Sequence, residues 1–415
     1  MKFKKSMLIL ILAVFLISIA GVCASDVNDT AMASHDDTAM ESTDENLITV
    51  EDSEPALSTE ENGEIVSDCA DEEIVSAEND LDELSANPGT YSGLSSEIGT
   101  GGNVVLTHDY YTYDNGTTIT ISTSNSVIDG NGAIIDMNGS NILAFKVTGS
   151  GVTIKNLTIK NANVTEDNDG AAIYFEKAGT IENCNFINNY AGDAGAVYFN
   201  KANSKVINCN FTGNKAAFSG GAVCFKESGT VENCNFDNNT CIDPFLGSGG
   251  AICFNGTGNA INCNFVNNAA KGVFSWAGAI SFIKNGNAIN CTFTNNKANS
   301  AGGAVEISGN VKLENCSFDK NSAKDGGAVE VTGAASIINC NFTDNKVLNE
   351  IQGYGGAVYW NTSAGNIKNC IFDKNSAFRG GAVYFEKDGE VTDCKFNDNL
   401  AGDGGAVWFT EKGTV

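Results

Sequence analysis

Arginine and histidine are almost absent from this 415-residue sequence, which contains one arginine, Arg379, and two histidines, His35 and His108. Acidic residues outnumber basic ones by 51 to 24, and the formal net charge is -27. Such an acidic chain is unsuited to binding nucleic acid. Zinc sites need clustered cysteine and histidine ligands, which are lacking here. The sequence therefore predicts no nucleic-acid partner, no metal and no cofactor.

The N-terminus has the composition of an export signal. Lys2, Lys4 and Lys5 precede an apolar run that ends near Val22, and a small residue follows at Ala24. We interpret residues 1–24 as a signal peptide, with an uncleaved N-terminal anchor as the alternative. Residues 25–87 contain 21 Asp or Glu and no Lys or Arg, so we expect an acidic disordered leader. The predicted location is secreted or at the cell surface.

One unit, Asn-Cys-x-Phe-x-x-Asn followed by a Gly-Ala-aliphatic step, recurs nine times between residues 183 and 407. Its period is 24 to 30 residues, which is typical of a solenoid. After each Gly-Ala step two apolar residues flank a variable one, as in Val197-Tyr198-Phe199. This alternation predicts a β-strand with the apolar pair inside. Because Glu306 and Glu330 occupy the variable position, we expect that middle column to face water.

A second strand leads to the Asn before the cysteine, where the alternation fails unless the chain bends. Asn tolerates the left-handed conformation that such a bend needs. With the bend, both Cys and Phe of each unit point inward. The predicted core ladder consists of Cys184, Phe186, Cys209, Phe211, Cys234, Phe236, Cys263, Phe265, Cys291, Phe293, Cys316, Phe318, Cys340, Phe342, Cys370, Phe372, Cys394 and Phe396.

Three short strands per 24–30-residue coil, each paired with its copy in the next coil, predict an all-β fold, a right-handed parallel β-helix. We expect a monomeric single-stranded solenoid. Residues 88–168 lack the full repeat and are expected to form an N-terminal cap and irregular first coils. We expect residues 169–415 to form the regular coils, with the last coil incomplete. Any membrane attachment would then use the signal segment or a missing C-terminal anchor.

The cysteines admit two interpretations. Stacked thiols in neighbouring coils lie close enough for disulfides, but their parallel Cβ directions would strain the bond. We therefore favour reduced, buried cysteines that act as small hydrophobic residues. Cys224 and Cys253, in the column expected to be exposed, are the exception we consider for a disulfide.

The combination of Gly-Gly-Ala-aliphatic with Phe-x-x-Asn, as in Phe186 to Asn189, resembles the polymorphic outer membrane protein repeat. With its signal, acidic leader and Asp129-Gly130-Asn131-Gly132 turn, the whole chain resembles adhesin-like surface proteins of methanogenic archaea. The resemblance implies a cell-surface β-helix with an adhesive role and a host or neighbouring-cell surface protein or glycan as partner.

Aromatic side chains supply the candidate binding surface, because their faces suit sugar rings and partner proteins. The candidates lie in the outward column and the long loops: Tyr198, Phe245, Phe274, Trp276, Tyr354, Tyr359, Tyr384 and Trp408. Stacking that only stabilises the sheet is the alternative.

Two other functions are open. A polysaccharide-active enzyme of the pectate lyase or glycosidase type is one, since parallel β-helices carry such enzymes. With a single arginine, and with Glu306 and Glu330 interpreted as solvated, the sequence predicts no catalytic residues and no enzyme. A passive structural component of a cell wall or stalk is the other alternative.

Overall fold

A computed structural model describes residues 87–348, 351–361 and 365–415. The predicted signal peptide, and the acidic leader up to residue 86, lie outside the described residues. Within the described ranges, no helix has the length and apolar character needed to cross a membrane.

The chain winds through three long parallel sheets, one short strand of each per coil. The register pairs like with like, for example Phe186 with Phe211 and Val197 with Val223. Thus the predicted parallel β-helix with three strands per coil is confirmed.

Sheet 1 follows the Asn bend and has thirteen strands: Pro88–Thr90, Tyr110–Thr112, Ile134–Asp136, Thr158–Lys160, Asn185–Ile187, Asn210–Thr212, Asn235–Asp237, Asn264–Val266, Thr292–Thr294, Ser317–Asp319, Asn341–Thr343, Ile371–Asp373 and Lys395–Asn397. Sheet 2 follows the Gly-Ala step and has twelve: Ile119–Ile121, Phe145–Val147, Ile173–Phe175, Val197–Phe199, Val223–Phe225, Ile252–Phe254, Ile280–Phe282, Val305–Ile307, Val329–Val331, Val358–Trp360, Val383–Phe385 and Val407–Phe409. Sheet 3 precedes the bend and has thirteen: Asn103–Val105, Val127–Asp129, Val152–Lys155, Gly179–Glu182, Ser204–Ile207, Gly229–Glu232, Gly258–Ile261, Gly286–Ile289, Asn310–Glu314, Ala334–Ile338, Gly365–Lys368, Gly389–Thr392 and Gly413–Thr414.

A fourth sheet, which the sequence did not predict, lies in the connection between sheets 1 and 2. Sheet 4 is a nine-stranded parallel sheet: Tyr190–Asp193, Lys215–Ser219, Thr240–Cys241, Leu246–Ser248, Ala269–Ala270, Phe274–Trp276, Lys297–Ala298, Ser322–Ala323 and Lys346–Val347. The connection whose length varies most along the sequence is therefore hydrogen-bonded structure over much of its course.

The bend between sheets 3 and 1 has the predicted conformation. Asn183 has φ 53° and Asn369 has φ 53°, and Asp393, the exception in sequence, has φ 54°. The Asn amides hydrogen-bond along the stack, as in Asn208 Nδ2 to Asn183 Oδ1 at 3.2 Å. The bend is thus fixed locally by residue type and between coils by the amides.

The interior holds the ladder of cysteines and phenylalanines. The Phe rings of sheet 1 stack from Phe186 to Phe396 with centroids 4.7 to 5.0 Å apart. All eighteen predicted ladder residues are buried except Cys394 and Phe396, which are half-buried in the last coils. The Phe-x-x-Asn asparagines form a second, buried ladder, in which Asn296 Nδ2 donates to Phe265 O at 2.9 Å and to Asn321 Oδ1 at 3.0 Å.

One short helix, α1 (Tyr91–Ile98), stands in the N-terminal cap and was not predicted. The Thr90 side chain caps it by accepting a hydrogen bond from Gly93 N at 3.0 Å, as Thr does at many helix N-termini. Tyr91, Leu94 and Ile98 are buried, and the helix contacts the first strands of sheets 1 and 2. It supplies apolar cover at this end of the coil stack.

The prediction that the middle column of sheet 2 faces water is wrong. Seven of its residues are buried: Tyr198, Cys224, Cys253, Ser281, Glu306, Glu330 and Tyr384. The cause is the preceding glycine step, whose first glycine has φ between 57° and 67° from Gly220 to Gly404. This left-handed turn folds back over the column, so that Gly326 lies against the backbone of Glu330. The second glycine approaches the next coil so closely that a Cβ on Gly303 would overlap the carbonyl oxygen of Gly327.

Candidate functional site

A cavity of about 460 Å³ opens beside the first strand of sheet 4. It spans four coils and is lined mainly by amide side chains, with one phenol and one ammonium group. Its lining residues are Asn138, Gly139, Asn161, Asn163, Asn188, Asn189, Tyr190, Gly213 and Lys215. A site this rich in hydrogen-bond donors and acceptors suits a hydroxyl-rich ligand.

Asp136 holds two of the amide residues in position. Its Oδ1 accepts hydrogen bonds from the backbone N–H of Asn138 at 2.9 Å and from Asn161 Nδ2 at 3.0 Å. Its Oδ2 accepts from the Tyr110 hydroxyl at 2.8 Å and pairs with Lys160 at 3.1 Å. Burial opposes ionisation, but these hydrogen bonds prevail and hold the pKa of Asp136 below its usual value. This carboxylate is therefore a fixed support on one side of the cavity.

Tyr190 and Lys215 lie side by side in neighbouring coils, as register partners in sheet 4. Tyr190 is half-buried and its hydroxyl donates to Glu166 Oε1 at 3.1 Å. Burial, and next the Glu166 carboxylate, raise the pKa of Tyr190, so its phenol remains protonated near neutral pH. Lys215 is exposed. The cavity therefore places a proton-donating phenol beside a lysine ammonium group.

A second group of ionisable residues lies in the buried middle column. Glu306 and Glu330 are only 6% and 5% exposed, so their interpretation as solvated strand residues is wrong. The Ser281 hydroxyl donates to Glu306 Oε2 at 2.7 Å, and Ser308 also donates to Glu306. Burial, followed by the Glu306 and Asp325 charges, raises the pKa of Glu330 to about 8. Because the glycine turn covers this pair, a polymeric ligand has no access to it.

The eight candidate aromatic residues fall into different environments. Tyr198 and Tyr384 are buried, and Trp276, Tyr354, Tyr359 and Trp408 are half-buried. Tyr354 packs against Tyr384 and Tyr359, with ring centroids 4.7 and 5.8 Å away. The outward aromatic column is therefore largely a packed layer beneath the glycine turns and does not offer free ring faces.

The loop residues Phe245 and Phe274 are exposed, at 66% and 43%. They lie in neighbouring coils, where Phe274 N donates to Phe245 O at 2.8 Å. Trp276 is on the same strand as Phe274. Tyr354 is three coils further along, about 14 Å at the usual strand spacing. The structure thus brings together the first three loop aromatics and not the fourth.

The twelve described cysteines are free thiols. Cys224 and Cys253 are register partners, as expected of neighbours in one column, but both are buried and not exposed. In the core ladder, the hydrogen bond with Cys263, together with burial, raises the pKa of the Cys291 thiol to about 12. Among the described residues, no group of three or more His, Cys, Asp or Glu side chains is placed to hold a metal ion.

Sequence reasoning did not find the cavity residues. Asn138, Asn161 and Asn188 have φ of 49°, 58° and 54°, and form a second left-handed corner that recurs after sheet 1. Its signal in sequence is the Asn that directly precedes the buried Asn of Phe-x-x-Asn. Asn188-Asn189 shows this pairing, and Asn238, Asn267 and Asn295 repeat its first residue. The other coils have Gly, Lys or Asp at this position, which obscures the column in the sequence.

Two solved structures are similar to this chain. A PL6 alginate lyase in complex with a trisaccharide has 13% sequence identity and a TM-score of 0.44, over 79% of this chain and 85% of the lyase. ORF18 of Geobacillus virus E2 has 14% identity and a TM-score of 0.33, over 81% of this chain and 63% of the viral chain. The prediction that the chain is not an enzyme is corrected by the first comparison, because that protein of the same fold is an enzyme.

No curated protein matches the chain. The family model described as right handed beta helix region matches residues 134–289 and 250–415. Together these matches cover most of the chain, including the coils that form the cavity. The chain therefore belongs to the right-handed β-helix family.

Proposed function

We propose that this protein acts on a polysaccharide, which it binds in the cavity between Asn138 and Lys215. The observation that carries the proposal is the cavity itself, whose amides, phenol and ammonium group match the hydroxyl and carboxylate groups of an acidic sugar. Lys215 would pair with the sugar carboxylate. Asn161 and Asn188 would hydrogen-bond its hydroxyls.

The chemical step would use Tyr190 as the acid–base residue. The phenol proton would pass to the departing oxygen as the sugar C–O bond breaks. The Glu166 carboxylate, to which the hydroxyl donates, would take the proton lost from the sugar carbon in an elimination, or from the attacking water in hydrolysis, and return it to the phenolate. General acid–base catalysis needs a positioned group that holds its proton at the working pH. Cleavage of the chain by elimination or by hydrolysis requires such a proton for the departing sugar oxygen.

The test measures binding and cleavage with the full chain. Alginate, pectate, xylan and a neutral β-glucan are supplied, and unsaturated products and new reducing ends are quantified. Lys215→Ala should weaken binding of the acidic polymers, and Tyr190→Phe should abolish product while binding persists. Lys205→Ala, an exposed lysine on sheet 3, is the control. Absence of binding to every polymer, or equal behaviour of Lys215→Ala and Lys205→Ala, contradicts the proposal.

A second candidate function is attachment to another cell, at the cell surface to which the N-terminal residues would direct the protein. The supporting observation is the apolar edge formed by Phe245, Val273 and Phe274, which are 66%, 61% and 43% exposed. Exposed apolar clusters of this kind mark interaction sites. The repeat's resemblance to surface adhesins motivates the same candidate, with a surface protein or glycan as partner.

Adhesion of cells or beads that carry the full chain tests this candidate. Phe245→Ser with Phe274→Ser should reduce attachment, whereas Ile371→Ser should not, although Ile371 is 39% exposed on sheet 1. Undiminished attachment by the double variant would remove the candidate.

A further inference from the structure

Two rows of asparagines run side by side along the outside of the coils. The first, the bend file, follows the left-handed bend: Asn156, Asn183, Asn208, Asn233, Asn262, Asn290, Asn315, Asn339 and Asn369. The second, the strand file, lies two residues further on sheet 1: Asn185, Asn210, Asn235 and Asn264. One inward cysteine separates the two rows in each coil, so both rows are carried by the same rigid corner.

Hydrogen bonds between coils hold these amides in place. In the strand file each Nδ2 donates to the Oδ1 of the preceding coil at 2.8 Å, from Asn264 back to Asn185. In the bend file the corresponding distances from Asn262 back to Asn183 are 3.1 to 3.2 Å. The side chains are therefore ordered before any ligand arrives, which lowers the entropic cost of binding.

Each amide retains unused hydrogen-bonding capacity. An Asn side chain has two N–H donors and an oxygen with two lone pairs. The ladder uses one donor and one lone pair of Asn210 and of Asn235. Both residues are exposed. The face therefore presents a donor and an acceptor per coil in each file, repeated at about 4.8 Å.

We propose that the bend and strand files together bind a neutral polysaccharide in an extended conformation, with its chain parallel to the axis of the coils. This inference rests on the proposed function for the class of ligand, but it uses a different surface. Between Asn183 and Asn264 the two files contain no charged residue, so they suit hydroxyl groups better than carboxylates. The coils repeat at about 4.8 Å, so a sugar chain extended along the axis would meet a new amide pair at each coil.

Other occupants fit the face less well. The files offer little apolar area, which a stable protein partner would need to bury. The net charge of -27 opposes a nucleic acid. A neutral glycan needs neither apolar burial nor opposite charge, because its affinity comes from many hydrogen bonds to ordered amides.

The experiment compares three variants of the full chain for retention by soluble xylan and β-glucan in an affinity gel, with alginate as the acidic probe. The variant Asn210→Ala, Asn235→Ala and Asn264→Ala removes the strand file at exposed positions with ordinary strand backbone. Asn259→Ala with Asn287→Ala removes a matched pair on sheet 3, where Asn287 Nδ2 donates to Asn259 Oδ1 at 2.8 Å. Lys215→Ala disables the cavity. Thermal unfolding establishes that each variant is folded.

The strand-file variant should bind the neutral polymers roughly tenfold more weakly, since several hydrogen bonds are lost together. The sheet 3 pair and Lys215→Ala should retain neutral binding. Loss of alginate binding by Lys215→Ala alone would show that cavity and amide face act separately. Wild-type protein that ignores both neutral polymers, a strand-file variant that binds like wild type, or an equal loss in the sheet 3 pair would each overturn the inference.

Discussion

Glu306 and Glu330 lie opposite each other in neighbouring strands of sheet 2, as register partners that are both more than nine-tenths buried. Glu306 accepts hydrogen bonds from two serine hydroxyls, whereas Oε2 of Glu330 has no hydrogen-bond partner among the described residues. Two carboxylates this close in a buried site cannot both ionise at low cost. One of the two, Glu330, therefore keeps its proton at neutral pH.

This pair predicts that stability falls as the pH rises. In the unfolded chain Glu330 ionises near the ordinary glutamate value of 4.5, but in the folded protein its pKa is about 8. The folded state therefore binds more protons between these values, and its free energy of unfolding decreases from pH 4.5 to about 8. Glu330→Gln should flatten this slope and stabilise the protein above pH 8 by about 2 to 5 kcal/mol. Urea unfolding at several pH values measures both effects.

The charged groups around Glu330 define the control. Burial, and next the charges of Glu306 and Asp325, raise the pKa of Glu330, and a hydrogen bond from Asn361 lowers it. Asp325 is half-buried beside Lys324 and the Tyr354 N–H, and burial raises its pKa. Glu390→Gln, at an exposed position of sheet 3, removes a carboxylate without this environment and should leave the slope unchanged. The same slope in wild type and Glu330→Gln would contradict the prediction.

Removal of one inner ring should open the stack locally. Phe318 packs between Phe293 and Phe342, with ring centroids 4.7 Å away on both sides. Phe318→Ala should cost about 3 to 5 kcal/mol, and the loss should concentrate in adjacent coils because each coil contacts its neighbours. Hydrogen exchange should accelerate in sheet 1 near residues 293 and 342. Unchanged exchange there would contradict the account.

The bend can be tested by separating backbone strain from side-chain hydrogen bonds. Asn290 has φ 53°, donates to Asn262 at 3.1 Å and accepts from Asn315 at 3.2 Å. Asn290→Ala should destabilise more than Asn290→Gly, by about 1 kcal/mol, because alanine resists the left-handed conformation. Chemical unfolding of both variants measures the difference. Equal stability would show that the bend conformation is not the source of the cost.

The ladder thiols should resist alkylation in the native protein. The hydrogen bond with Cys291, together with burial, raises the pKa of the Cys316 thiol to about 12. Little thiolate therefore exists at neutral pH. Cys394 is half-buried in the last ladder position. The hydrogen bond with Cys370 also raises the pKa of Cys394, so access of the reagent, and not thiolate content, sets the order of labelling. Iodoacetamide followed by mass spectrometry should label Cys394 first and Cys291 only after unfolding. Rapid labelling of Cys291 in the native state would contradict this.

The alternation of apolar and variable residues along the sequence predicted the fold, the bend and the contents of the core. The reason is that alternation reports which side of a strand each residue occupies, and the Asn column reports the turn. This alternation does not indicate which other residues cover the outer face of a strand. Glu306 therefore pointed outward as predicted and was nevertheless buried, because the left-handed glycine turn folds over it.

The cavity could not be predicted from the sequence for a related reason. Tyr190 and Lys215 come together through the register of sheet 4, and that sheet consists of connections whose length varies between coils. Residues such as Ala191 and Ala216 carry little β-propensity. Hydrogen bonds to neighbouring coils, which no local pattern records, determine their conformation.

The second glycine of each step leaves no room for a Cβ before the next coil, from Gly250 to Gly381. This close backbone contact sets a uniform interval between coils, and every outer row of side chains inherits it. A polymer with the same interval can therefore engage many weak sites at once, and its avidity grows with the number of coils spanned. A chain that gained or lost whole coils would change its overall affinity for such a polymer, although each individual contact stayed the same.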